Sequence, residues 1–265
     1  MKLYHQVFVV TGGGNGIGRE VVLNLLQKGA KVAAVDLSEK GLKETQKLAE
    51  GHQANLSLHP ADISDLKQVE SLVDAVMNAH GAVDGLINVA GIIQPFIPVN
   101  ELSYEKVKQV MDVNFYGTLY MVKTFLPELL KRPEAHITNI SSMGGFVPVP
   151  GQSIYGASKA AVKLMTEGLH SELKDTNVGV TIVFPGGVQT DIMKNSGAEF
   201  SRKDGAAANA KMKLLTAVEA AEIIVEGTKK KKYRVLAGKD AKFLDFYSRL
   251  SPKKAAKVIA DKLSM

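Results

Sequence analysis

Two short runs near the start of the chain, Val7-Phe-Val-Val10 and Val32-Ala-Ala-Val35, are apolar on both of the faces that a strand presents. That pattern suits parallel strands covered by helices above and below, because an antiparallel sheet with one wet face would alternate. Similar runs rich in β-branched residues recur, and strands are expected at Val7 to Thr11, Lys31 to Asp36, Leu56 to Asp62, Gly85 to Ala90, Ala135 to Ser141, Val178 to Phe184 and Arg234 to Ala237. The segments between them carry helical spacing, as in Ile17, Val21, Leu25 and in Ala160, Leu164, Leu169, Leu173. The expected fold is α/β, a doubly wound parallel sheet of about seven strands with helices on both faces. At 265 residues, 45% hydrophobic and 23% charged, the chain can bury such a core as one domain, 1–265.

The first strand ends in Thr11-Gly12-Gly13-Gly14-Asn15-Gly16-Ile17-Gly18, and a helix opens at once. Glycines at such a turn let backbone N–H groups approach a pyrophosphate, whose charge the helix N-terminus then favours. A second strand ending in Asp36 completes the context of a dinucleotide site of Rossmann type. A phosphate-binding P-loop is excluded, since Arg19-Glu20 follows Gly18 where Lys and Ser or Thr would be needed. Asp36 can accept both ribose hydroxyls of NAD, whereas a 2′-phosphate would meet a like charge. Neither Asn15 nor Leu37 supplies an offsetting cation, so NAD is the expected cofactor.

Six further features stand in order: Asp62-Ile63, Asn88-Val89-Ala90-Gly91, Asn114, Asn139-Ile-Ser-Ser142, Tyr155-Gly-Ala-Ser-Lys159 and Pro185-Gly-Gly-Val188-Gln-Thr190. With the glycine-rich turn they resemble the classical short-chain dehydrogenases/reductases over about residues 5 to 240. Where the family usually has Asn-Asn-Ala-Gly, this chain has Asn88-Val89; the second Asn of that pattern looks structural, binding a neighbouring strand. The resemblance implies a cofactor site of Gly12, Asn15, Gly16, Ile17, Gly18, Asp36 and Leu37, with Asp62 and Ile63 at adenine and Asn88, Ala90 and Gly91 at the adenine-side ribose turn. It also implies contacts of Tyr155, Lys159, Pro185, Val188 and Thr190 on the nicotinamide side. Asp62 can equally cap the helix after the third strand.

Hydride transfer between a secondary alcohol and NAD needs a base for the hydroxyl proton. Tyr155 and Lys159, four apart in a helical pattern, stand on one face. A free tyrosine titrates near ~10, so its phenolate needs a neighbouring cation to act near neutrality. Ser142 at a strand end would hydrogen-bond the substrate oxygen, and Asn114 resembles the family residue that holds a water behind the lysine. Other chemistries fail: there are no cysteines for thiol catalysis or disulfides, Gly151-Gln-Ser153-Ile-Tyr155 is not a hydrolase elbow, and the six histidines lack metal-ligand spacing. No metal is expected.

The candidate substrate walls are Ile92, Ile93 and Gln94, the segment Met143 to Val149, Gln152, and Met193, together with Ser142 and Tyr155. They lack an arginine fork, which points to an uncharged or weakly polar alcohol or ketone. Two alternatives are an NADPH-dependent 3-oxoacyl reductase and a non-catalytic NAD(H)-responsive binding protein. Residues of about 191 to 213 resemble the family's mobile substrate lid, with Gly197 and Gly205 as hinges. The stretches Tyr104 to Leu130 and Ser153 to Lys174 resemble the helices that family members pair across a two-fold axis, so a homodimer or homotetramer is expected.

The net charge of +6 is not spread evenly. Residues 229–265 hold twelve Lys and Arg against three Asp, leaving the rest slightly acidic, which is not the footprint of a nucleic-acid-binding domain. This basic tail is expected to pack on the body or a partner through its apolar face, with an anionic membrane surface the lesser alternative. No run of about 18 apolar residues and no signal peptide is readable, and the lack of cysteine fits a reducing cytoplasm.

Overall fold

The computed structural model describes residues 1–190, 192–198 and 214–263. Seven parallel strands lie in the order β3-β2-β1-β4-β5-β6-β7: β1 (Val7–Thr11), β2 (Lys31–Asp36), β3 (Leu56–Pro60), β4 (Gly85–Asn88), β5 (Ala135–Ile140), β6 (Val178–Pro185) and β7 (Arg234–Ala237). Because side chains alternate along a strand, Phe8 and Val10 of β1 join Val32 and Ala34 of β2 on one face. There they meet Val21, Val22 and Leu25 of α1 (Gly16–Gln27) and Ile224 and Val225 of α7 (Ala217–Lys229). Val9, Ala33 and Val35 point the other way, onto α3 (Leu66–His80), α5 (Thr118–Leu130) and α6 (Ser153–Glu172). Both faces are thus dry, as the unbroken apolar runs require, and each fully buried Val, Leu, Ile or Phe among them contributes about 1.5–3 kcal/mol of transfer free energy.

Strand ends differ from expectation where side chains capture the backbone. β4 stops at Asn88, because the N–H groups of Val89 and Ala90 donate to Thr11 Oγ1 at 3.0 and 3.2 Å. β3 stops at Pro60, and Asp62 instead closes a local turn by accepting from Ser64 N and Ser64 Oγ. The cap of α3 is therefore Asp65, which accepts from Lys67 N at 2.9 Å, and not Asp62. Ser38 caps α2 (Glu39–Leu48) and Ser103 caps α4 (Tyr104–Met111). Thr216 and Glu219 form a capping box at the start of α7. A wider π-helical segment, Asp112–Gly117, joins α4 to α5. In the tail, Pro252 opens a second helix, α9 (Pro252–Leu263), after α8 (Lys239–Leu250). Residue 191 and residues 199–213 of the expected lid lie outside the described residues.

His136 of β5 is wholly buried. Its Nε2 lies 2.7 Å from Thr181 Oγ1, whose own proton goes to Lys232 O at 2.6 Å. Nε2 must then be the donor, and Nδ1 is left bare beside Gly179. Burial, helped by nearby cations, holds this imidazole down to about 3. The unfolded chain takes up a proton near pH 6.5 that the folded chain refuses until about pH 3. This contribution is therefore full above pH 6.5 and is lost as pH falls through that window, at up to ~1.4 kcal/mol per unit. Urea midpoints of the wild type are expected to fall more steeply over this range than those of His136→Gln; equal slopes would assign the acid sensitivity elsewhere.

Candidate active site

The strand order reverses between β1 and β4, so the connections leaving these two strands part and open a crevice at their carboxyl ends. The glycine-rich turn forms one wall. Asn15 caps α1 through Oδ1, which accepts from Gly16 N at 2.6 Å, and no acidic residue occupies the first turn of the helix. No carboxylate of the helix's own first turn therefore offsets its positive end. Gly12 has φ +72°, and a Cβ there would press on the Ala90 backbone at 3.0 Å, so only glycine lets the turn and Ala90 share this space. Asp36 is held by two peptide donors, Gly14 N on Oδ2 at 2.9 Å and Ser38 N on Oδ1 at 2.8 Å. Each oxygen keeps acceptor capacity for a vicinal diol. Leu37 is exposed at the rim. Arg19 is the cation bonded to this turn: it donates to Gly14 O and pairs with Glu44 at 3.0 Å. This donor set and this tight, uncharged turn fit a dinucleotide.

The other predicted cofactor residues divide. Thr190 faces Gly16, whose added Cβ would lie 3.6 Å from the Thr190 side chain, so the segment after β6 meets the glycine-rich turn across the crevice. Val188 sits in a two-residue strand paired with Leu215, and Pro185 ends β6. Ile63 is buried in the core against Gly117, and its side chain is committed to packing. Asn88 is also buried, and its Nδ2 donates to Asn139 Oδ1 at 2.9 Å on the neighbouring strand. The cross-strand role expected of the second Asn in the motif thus falls to Asn88, leaving only its Oδ1 without a partner.

Four polar groups converge beyond β4 and β5. Ser142 Oγ accepts from Gly144 N at 3.1 Å and so keeps its proton for Tyr155, to which it is hydrogen-bonded. Burial raises the Tyr155 phenol above its usual range, and the Ser142 bond pulls the other way. Lys159 is buried, donates to Ile140 O at 3.0 Å and is pushed down by burial to about 8. Asn114 sits in the π-helical segment, a frequent mark of functional sites. It accepts from Ile92 N and donates to Ile92 O and Ser158 Oγ, each at 2.9 Å. A Cβ on Gly91 would come within 3.1 Å of Lys159 Nζ and 3.2 Å of Asn114 Oδ1, so lysine and amide face one small space over Gly91.

Two expected substrate walls have other work. Gln94 is wholly buried, and its Oε1 accepts from Ile154 N at 2.9 Å and Tyr155 N at 3.0 Å. These are orphan donors in the first turn of α6, whose own N-cap residue, Gln152, makes no side-chain cap. Gln94 Nε2 donates to Gly151 O, and Gln152 Nε2 donates back to Gln94 O at 2.8 Å. Gln152 is therefore a buried strut, with Oε1 alone lacking a partner, and not an open pocket amide. Met193 is half-buried in a one-turn helix, Ile192–Asn195, and nearby Ser196 accepts from Ile93 N and Lys106 Nζ. Val147 packs with Leu244 of α8 and Ile259 of α9, beside Met143, Phe146 and Val149. Asp240 of α8 accepts from Gly187 N at 2.7 Å. The two tail helices thus brace the loops on both sides of the crevice, which composition alone did not disclose. Among the described residues no group of three or more metal-ligating side chains occurs.

The family model for short chain dehydrogenases matches residues 6–200. SadH of Mycobacterium tuberculosis (strain H37Rv), named as an oxidoreductase, is 34% identical over 260 residues, covering 96% of this chain and 94% of SadH. A short chain dehydrogenase/reductase from Burkholderia phymatum in complex with NAD superposes with a TM-score of 0.85 at 26% identity, covering 96% of this chain and 95% of that one. A short chain dehydrogenase from Burkholderia cenocepacia in complex with NADP gives 0.80 at 25% identity, covering 98% and 99%. The chain belongs to the short-chain dehydrogenase/reductase family and is an oxidoreductase of that family.

The Gln94 cap is open to a direct test. Gln94→Ala is expected to speed hydrogen exchange of the Ile154 and Tyr155 amides and to cost about 1 kcal/mol of stability, the usual value of a lost cap. Unchanged protection at both amides would show that α6 does not depend on Gln94.

Proposed function

We propose that the protein interconverts a secondary alcohol and a ketone with NAD, on an uncharged and mostly apolar substrate. The observation that carries this reading is the meeting of Ser142, Tyr155, Lys159 and Asn114 at the mouth of a crevice whose other wall is a dinucleotide-type turn. The cofactor supplies the hydride acceptor or donor; the protein's task is the proton. Tyr155 Oη takes the hydroxyl proton of the alcohol, or returns one to the ketone oxygen. Ser142, which already accepts from Gly144 N, gives its single proton to whichever oxygen bears charge. Lys159, lowered by burial to about 8 and so still mostly charged at neutral pH, supports the phenolate. Asn114 holds a water behind it, completing a relay to solvent. NAD is favoured over NADP because the Asp36 carboxylate beside the glycine-rich turn would repel a 2′-phosphate, while Arg19 is already engaged by Glu44.

Tyr155→Phe is expected to bind NADH as the wild type does while turnover over a panel of aliphatic, alicyclic and steroid-like alcohols falls at least ~10²-fold. A fully active Phe variant would remove Tyr155 from the mechanism. In fluorescence titrations NADH should bind at least about tenfold more tightly than NADPH, or ~1.4 kcal/mol, and Asp36→Ala should narrow that gap. Equal binding of both by the wild type would sink the NAD assignment.

A further inference from the structure

The basic tail folds as two helices whose inner faces are fixed to the body. Ala241, Leu244 and Asp245 of α8 are buried, Asp240 holds the turn after β6, and Asp245 pairs with Arg234. Arg234 itself lies over the Phe184 ring, 4.2 Å from its centroid. The helix is thus held in one orientation, which fixes what its opposite face presents. Phe243, Phe246 and Leu250 lie there at i, i+3 and i+7 and are 55, 64 and 67% exposed. Tyr247 stacks on Phe243 with ring centroids 5.6 Å apart. Three large apolar side chains on one helical stripe, all more than half exposed, are a contact surface without its partner.

The charges on the same two helices say which partner fits. Lys239 and Lys242 on α8, and Lys253, Lys254 and Lys257 on α9, are exposed and form no ion pair among the described residues. Residues 229–265 carry a net +9, and the rest of the chain is slightly acidic. A second copy of the stripe would bring this excess of cations against itself, because a two-fold contact faces each patch with its own kind. A nucleic acid would meet the lysines but leave the aromatic stripe unused. An anionic bilayer answers both features, offering a negative headgroup plane for the lysines and an acyl boundary for Phe243, Phe246 and Leu250.

We propose that α8 and α9 form a peripheral docking surface for anionic membranes. Among the described residues no helix is long and apolar enough to cross a bilayer, so contact is at the interface. The docking surface is separate from the crevice, and its test does not rest on the catalytic reading. If that reading holds, the helix that touches lipid also carries Leu244 against the loop after β5, which sets the mouth of the site near a phase where apolar alcohols concentrate.

The experiment is sedimentation of the full chain with phosphatidylcholine vesicles, with and without phosphatidylserine. Binding is expected only to the phosphatidylserine vesicles and is expected to weaken as salt rises. Phe246→Ser with Leu250→Ser should reduce partition at least tenfold, and each of Lys253→Ala and Lys254→Ala roughly fivefold. Circular dichroism melts of these surface variants should match the wild type. A wild-type chain that stays in the supernatant with phosphatidylserine vesicles overturns the proposal. So does self-association by light scattering that the Ser pair abolishes, because it gives the stripe to a second copy.

Discussion

A parallel sheet with both faces buried leaves chemistry only one place to happen. Neighbouring strands end level with one another, and where strand order reverses between β1 and β4 their connections part. Everything placed at this opening is held by backbone already spent on the sheet. Thr11 closes β1 and with one hydroxyl accepts two N–H groups of the turn after β4, so the glycine-rich wall and the Ala90 wall cannot shift separately. Asn88 and Asn139 sit opposite in register and bond across the same end. The rigidity of the site is thus inherited from strand register rather than from contacts within the site.

The electrostatics follow from the same burial. Away from water a phenol keeps its proton and an amine sheds one, and Tyr155 and Lys159 are shifted in those two directions. Both shifts favour neutral forms. Lys159 donates a hydrogen bond to Ile140 O, which fixes the amine beside the crevice. On the proposed reading, the desolvation cost of ionising Tyr155 is offset by positive charge beside it, from Lys159 and the bound cofactor.

The sheet was legible because strands dry on both faces leave a signal in every residue, and all seven strand starts could be read from local residues. The site motifs were legible because a tight turn, a strand-end carboxylate and two side chains one helical turn apart are local patterns. What escaped was action at a distance. Gln94 caps a helix that begins 59 residues later, and no spacing rule connects them. Asp240 reads as the first turn of a tail helix, yet its partner is the amide of Gly187. Gln152 looked like a pocket amide because its position was right, although its Nε2 was already spoken for.

The tail shows most sharply how composition and structure divide the labour. Charge counting could say that residues 229–265 are basic and partly apolar, but a helix wheel with apolar residues on more than one side has no sign: it does not say which stripe faces inward. Leu244 and Phe243 are adjacent in sequence and of similar hydrophobicity, yet one is buried against Val147 and the other is exposed. The choice is made by two carboxylates. Asp240 reaches Gly187 and Asp245 reaches Arg234, and a buried acid without its partner would cost more than an exposed phenylalanine. Polar anchoring of the inner face therefore forces the aromatic residues outward, and the exposed stripe is a consequence of how the helix is pinned.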